Sequence, residues 1–170
     1  MSTGHATRER TPMPHVMINN KKCTGCHMCE LACSAWHEGA YRPFVARLRV
    51  DVDPTEATVR GHTCLQTACA KCEEACPVEA IKREPIRVAA EGLEPVEGFV
   101  LRVDEDLCTN CGTCYEVCPQ GVIREHPDRA VAFKCDLCDG TPQCVAFCQN
   151  PHVLAVDVRQ SKAEKAAAPA

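Results

Sequence analysis

Sixteen cysteines in 170 residues constrain this chain more than any other feature, and they fall into four groups of four with none left over. The first group is Cys23, Cys26, Cys29 and Cys33, a C-x2-C-x2-C-x3-C run. The third, Cys108, Cys111, Cys114 and Cys118, has the same spacing and is followed by Pro119. The second is Cys64, Cys69, Cys72 and Cys76, followed by Pro77; the fourth is Cys135, Cys138, Cys144 and Cys148. Such a density marks a cross-linked or metal-bound scaffold, and the repetition marks one structural unit used several times.

The rest of the chain cannot build a large core. Its 45% hydrophobic content includes the cysteines, and only one Trp, two Tyr and four Phe are present. The cysteines must therefore hold the fold, as disulfides or as metal ligands. The N-terminal stretch MSTGHATRERTPMPHVMINNKK has no apolar h-region, no small-residue cleavage site and no adjacent Arg pair. No segment approaches the ~18 apolar residues of a membrane span. The expectation is a cytoplasmic protein, where thiols stay reduced and dense cysteines mean metal. Export beside a signal-bearing partner stays compatible with the sequence. The net charge is −4 with no basic stripe, so neither nucleic-acid binding nor membrane insertion is expected. Residues 1–22 lean positive through Arg8, Arg10, Lys21 and Lys22, and the tail SKAEKAAAPA (161–170) has no apolar face. Both ends read as solvated arms.

The spacing points to iron–sulfur cubes. A [4Fe–4S] cube offers four iron corners, each wanting a thiolate, and three cysteines at i, i+3 and i+6 can curl around one cube. In the bacterial C-x2-C-x2-C-x3-C-P run the fourth cysteine turns away to the second cube of a pair. Small residues in the loops, Thr24, Gly25, Gly112 and Thr113, leave room for backbone N–H groups to approach inorganic sulfide. Zinc prefers two C-x2-C pairs set apart by a spacer, and disulfides suit an exported chain; neither matches three cysteines in seven residues. Pairing the runs by nesting gives four expected ligand sets. They are Cys23/Cys26/Cys29 with Cys148, Cys135/Cys138/Cys144 with Cys33, Cys64/Cys69/Cys72 with Cys118, and Cys108/Cys111/Cys114 with Cys76. The seven histidines show no metal-binding spacing and are read as surface residues or neighbours of the ligands. Trp36 is read as packing on the first cysteine loop. No nucleotide loop and no Ser/His/Asp pattern stands out, so no catalytic residue is assigned.

Short strands are predicted at His15–Ile18, Arg47–Val52, Phe99–Val103, Ala130–Phe133 and Val153–Val158. Short helices are predicted over 30–36, 73–81 and 115–123, with longer connections at 34–63 and 82–107 and with Gly92 and Gly98 as loop glycines. Strand, cysteine loop, helical turn, strand is the half-repeat of a two-cluster ferredoxin. The expected fold is α+β, two such modules nested in tandem. An arm (1–19) precedes an outer module (20–56 and 127–160), which surrounds an inserted inner module (57–126), and a tail (161–170) follows.

Four runs in this nested order resemble the iron–sulfur subunits of molybdenum and tungsten oxidoreductase complexes, among them those of dimethyl sulfoxide reductase, formate dehydrogenase and hydrogenase-linked carriers. The stretches CTGCHMCELACSAWHEGAYRPFVARLRV (23–50) and KCDLCDGTPQCVAFC (134–148) are most similar to the small subunit accompanying tungsten aldehyde oxidoreductase. Related subunits serve tungsten benzoyl-CoA reductases. The second run departs from that pattern: it is C-x4-C-x2-C-x3-C instead of C-x2-C-x4-C-x3-C, with the overall span kept. Cys33 and Cys148 also lack the following proline. The resemblance implies a non-catalytic subunit that carries electrons between a tungsten- or molybdenum-pterin enzyme and a flavin subunit handling NAD. A subunit of a benzoyl-CoA reductase, formate dehydrogenase or hydrogenase complex is the alternative, as is a free polyferredoxin. Head-to-tail association of copies, through Arg8 and Arg10 against Asp104, Glu105 and Asp106, is a further expectation set against a single copy on one catalytic subunit.

Overall fold

The computed structural model describes residues 12–159, so Arg8, Arg10 and the tail at 161–170 lie outside the described residues. In chain order the elements are β1 (Met13–Ile18), α1 (Met28–Glu38), β2 (Arg49–Asp53), β3 (Thr58–His62), α2 (Lys71–Ala75), β4 (Ile81–Ala90), β5 (Leu93–Val103), α3 (Thr113–Glu116), β6 (Arg124–Glu125), β7 (Ala132–Phe133), α4 (Gln143–Ala146) and β8 (Leu154–Arg159). Single 3-10 turns lie at Pro43–Val45, Gln66–Ala68 and Leu137–Gly140.

All strand pairing is antiparallel and two-stranded: β1 with β8, β2 with β3, β4 with β5 and β6 with β7. The first and last strands thus close on each other, with Val16 opposite Val156. The segment read as an arm, 1–19, contains a strand from Met13 onward.

Two apolar cores follow. One gathers Val16, Leu48, Val50, Leu137, Val153 and Leu154 with Cys29, Cys33 and Cys144. The other gathers Ala70, Ile81, Leu101, Ile123 and Ala132 with Cys72 and Cys114. The β4–β5 hairpin serves both, placing Ile86, Val88 and Val100 in the first core and Ile81 and Leu101 in the second. Ala132, in the stretch read as outer module, also packs in the second core.

This hairpin is the largest difference from the sequence, whose pattern predicts a connection over 82–107 with a strand only at 99–103. Pro85 stands inside β4, opposite Phe99, and a proline in a run argues against a strand. Gly92 is the turn glycine, at φ +75. Gly98, read as a loop residue, sits in β5 opposite Ile86. A Cβ there would lie 2.6 Å from Pro14 Cδ and 2.7 Å from Pro12 O, so its bareness admits the N-terminal segment.

The helices also differ from expectation. α1 is longer than 30–36 and ends where Gly39, at φ +64, donates its N–H to Ala35 O. α2 stops at Ala75 because Cys76, extended at ψ 112, precedes Pro77, and a residue before proline is held out of the helical region. α3 starts earlier and stops at Glu116, well short of 123. β3 and α4 had no counterpart in the sequence reading. Helices of four or five residues do not stand alone in water, and each short one here carries a cysteine on its first turn.

Candidate metal centres

One backbone feature recurs at all four cysteine runs. The residue after the second cysteine is left-handed in each: His27 (φ 59), Ala70 (φ 54), Gly112 (φ 82) and Asp139 (φ 53). In the three runs with C-x2-C spacing the residue before that cysteine is left-handed too: Gly25 (φ 69), Asn110 (φ 53) and Leu137 (φ 62). In the fourth run Cys138 (φ 48) is left-handed as well, so three successive residues share that hand there. Left-handed residues beside right-handed ones, as at Cys69 and Ala70, turn successive N–H groups toward one point, the shape of an anion-binding concavity. The match at Ala70 makes Cys69 the counterpart of Cys26 and Cys111 despite the widened spacing.

The structure brings the sixteen cysteines, none in a disulfide, around four cavities. One is lined by Cys64, Cys69, Cys72 and Cys118, and a second by Cys76, Cys108, Cys111 and Cys114. A third is lined by Cys33, Cys135, Cys138 and Cys144, and also by Cys64, which it shares with the first. The fourth is lined by Cys23, Cys26, Cys29 and Cys148. Each grouping takes three cysteines from one run and the last from another, so Cys76 and Cys118 cross between the second and third runs, and Cys33 and Cys148 between the first and fourth.

Such sets fit a [4Fe–4S] cube: four sulfurs around one space, with backbone N–H groups already aimed at sulfur. Arg47 N donates to Cys33 Sγ (3.2 Å), Ala80 N to Cys76 Sγ (3.2 Å), Gln66 N to Cys64 Sγ (3.4 Å) and Ala132 N to Cys108 Sγ (3.4 Å). Burial pushes the Cys29, Cys33 and Cys138 thiols up to about 12 and those of Cys72 and Cys114 up to about 11. Buried thiolates are unfavourable without a compensating cation, which iron supplies when bound.

The sets lie in a definite order. Cys72 and Cys114 share the second core, Cys64 lines both its own cavity and that of Cys135, and Cys29 and Cys144 share the first core. The Cys108 set therefore neighbours the Cys64 set, which neighbours the Cys135 set, which neighbours the Cys23 set. Cys111 and Cys26, at the two ends of this order, are the exposed cysteines. Exposed Lys21 and Lys22 precede the Cys23 end, and exposed Glu105 and Asp106 precede the Cys108 end. Asp104 and Glu105 already pair within the chain, with Lys82 (3.0 Å) and Arg129 (3.5 Å).

Several side chains differ from their sequence reading or were not singled out. Trp36 is 49% exposed, so it does not pack as core filler. His15 and His126 are buried instead of superficial. His37 lies 3.7 Å from Cys138 Sγ and 3.3 Å from Asp136, and burial first, then Arg47, lower it to about 4. The buried Glu30 accepts from Val50 N (2.8 Å) and lies 2.6 Å from His27 Nδ1, tying α1 to β2 and to the first cysteine loop. Gln66, inside the widened C-x4-C, donates from Nε2 to Cys135 O (2.8 Å) and accepts at Oε1 from Leu101 N (3.2 Å). Only the extra two residues of that run could have marked it. No helix among the described residues is long and apolar enough to cross a membrane.

Three family patterns match the chain: a 4Fe-4S dicluster domain over residues 45–122, a second 4Fe-4S dicluster domain over 100–162, and a 4Fe-4S binding domain over 20–36. Together they take in every cysteine. The chain is 35% identical to the polyferredoxin-like subunit of aliphatic sulfonate oxidoreductase from Pyrococcus furiosus, over 79% of this chain and 71% of that one. It is 33% identical to the electron transport protein HydN of Escherichia coli, over 88% and 93%. Among solved structures, it is similar to a chain of the active site complex BamBC of benzoyl coenzyme A reductase. The TM-score is 0.51 at 27% identity, covering 92% of this chain and 87% of that one.

Proposed function

We propose, on the premise that this chain belongs to the family of ferredoxin-type 4Fe-4S dicluster electron-transport proteins, that it conducts electrons through four [4Fe–4S] cubes as the resident subunit of an oxidoreductase complex. The observation that carries this is the ordered row of four cysteine-lined cavities with an exposed cysteine at either end. Each cube would be held by three cysteines of one run and the crossed fourth of another. The cubes would supply one-electron storage; the chain's own residues supply thiolates, N–H donors and a surrounding that excludes water. Electrons would enter at one exposed end and leave at the other.

The chain would do no chemistry on a substrate itself. Its expected neighbours are a tungsten-pterin aldehyde oxidoreductase subunit at one end and a flavin subunit handling NAD at the other. The likeness to the BamBC complex over nearly the whole chain favours a second reading, service to a benzoyl-CoA reductase. One copy per catalytic subunit is preferred to head-to-tail growth, since Asp104 and Glu105 already have partners in the chain.

Anaerobic purification of the tagged chain with whatever it binds tests both levels. The chain should carry about sixteen iron and sixteen sulfide, four cubes' worth, with visible absorbance that bleaches on dithionite. Near half that iron, or stoichiometric zinc, removes the four-cube reading. Tungsten in the co-purified partner supports the pterin enzyme, and a partner free of tungsten and molybdenum overturns that assignment.

A further inference from the structure

Lys134, between β7 and Cys135, is 3% exposed. Lysine is almost never buried so fully without a carboxylate. Here none lies within 4.0 Å of its nitrogen among the described residues. Its three hydrogen bonds go instead to neutral oxygens: Leu101 O (2.5 Å), Cys135 O (2.9 Å) and Gln66 Oε1 (3.2 Å). Three acceptors match the three N–H donors of an ammonium, whereas an uncharged amine would carry two donors and a lone pair. The nearby carboxylate that might have served, Asp136, is taken by Arg47 (2.7 Å) and Arg102 (3.4 Å). A buried cation without a direct counter-charge is costly unless a negative group stands close by.

The position of Lys134 supplies that group. Cys135 belongs to one middle cavity, and Gln66 donates its N–H to Cys64 Sγ, of the other. Gln66 also bonds Cys135 O, so a buried Gln66–Lys134 bridge spans the junction between the two middle sets. Gln66 is held at φ 50, a hand that a non-glycine residue adopts only under constraint.

We propose that Lys134 is the shared counter-cation of the two middle iron–sulfur centres, raising both of their reduction potentials above what the cysteine ligands alone would set. This rests on the four-cube reading above. A cube ligated by four thiolates is anionic and gains one further negative charge when it accepts an electron. A fixed buried cation beside it favours the reduced state, and burial of the side chain leaves the interaction less screened than at the surface. Only electrons move in this step. The end centres, bounded by Cys26 and Cys111 at the surface, lie farther from the ammonium and feel solvent instead.

Redox titration of the anaerobically purified holo-protein, followed by electron paramagnetic resonance, tests this in Lys134→Met, Lys134→Arg and Gln66→Glu. Iron and sulfide content, measured first, reports on the four-cube reading separately from the potentials. Lys134→Met keeps the length and removes the charge. Two of the four midpoint potentials should fall, by at least a tenfold change in the reduction equilibrium, which is 59 mV for one electron. Lys134→Arg should leave them near wild type. Gln66→Glu places a carboxylate against the ammonium with little change of shape, and should lower the same two. If Lys134→Met fails to hold its iron, Gln66→Glu decides. Fully loaded variants with all four potentials unchanged, or with all four shifted alike, overturn the proposal.

Discussion

Glu30 is a carboxylate 6% exposed, placed where its two oxygens reach Val50 N and the His27 ring. Removing it leaves a buried strand N–H without an acceptor, a loss of about 1–3 kcal/mol. Glu30→Ala should therefore lower the thermal midpoint at which the loaded chain loses its far-ultraviolet circular dichroism, and Glu30→Gln should recover part of it. An unchanged midpoint in Glu30→Ala would show that water replaces the carboxylate. The crossed cysteines carry a different expectation. Cys76→Ser should disturb the centre of Cys108, Cys111 and Cys114, and Cys118→Ser that of Cys64, Cys69 and Cys72, each losing about one cube's four irons and leaving its own run's centre in place. Resonance spectra in which Cys76→Ser removes the signal of the second run's own centre would refute the crossing. The 4Fe-4S character of the cysteine runs was legible in the sequence because ligand spacing is local: three thiols within seven residues leave few geometries. Glu30, Gln66 and Lys134 were not, because each acts across the fold on a residue far away in sequence.

Among the elements, the β4–β5 hairpin joins the two cores, and the N-terminal segment is laid against it at Gly98. Gly98→Val would drive a branched side chain into Pro14 and the carbonyl of Pro12. Overpacking of that kind costs about 1–3 kcal/mol. Limited proteolysis should then cut near Met13–Ile18 sooner than in the unaltered chain, and equal cutting rates would mean that the strand has another anchor. The hairpin escaped the sequence reading because Pro85 interrupts its pattern and because several of its residues, Lys82, Arg83 and Glu84 among them, face solvent. The strands that were foreseen, at 15–18, 99–103 and 153–158, are runs of valine, isoleucine and leucine that pack in the cores. The helices over 73–81 and 115–123 came out shorter because proline geometry, not apolar periodicity, ends them.

For the whole molecule, the cysteines contribute heavily to both cores and the remaining apolar side chains are few. A fold of this kind draws its stability from ligation. Stripping iron with a chelator under reducing conditions should abolish most of the far-ultraviolet circular dichroism, and restoring iron and sulfide should bring it back. A chelated chain that kept its full spectrum would show that the apolar cores suffice. The doubled ferredoxin architecture was readable at this scale from the fourfold repeat. The sharing of the hairpin between the cores was not, since nothing in a repeat reveals where its units touch.

The antiparallel closure of β1 on β8 has a consequence for how the molecule comes into being. A ribosome releases Cys23, Cys26 and Cys29 together, yet the thiol that completes their cavity, Cys148, follows only after the second and third cysteine runs. The sets bounded by Cys64 and Cys118 are whole much sooner. The two sets drawn from the second and third runs thus have all their thiols before either set that draws on the fourth run. A nascent chain that has not yet reached β8 lacks one thiol of the Cys23, Cys26 and Cys29 cavity and leaves the β1 edge unpaired, an edge open to pairing with another chain.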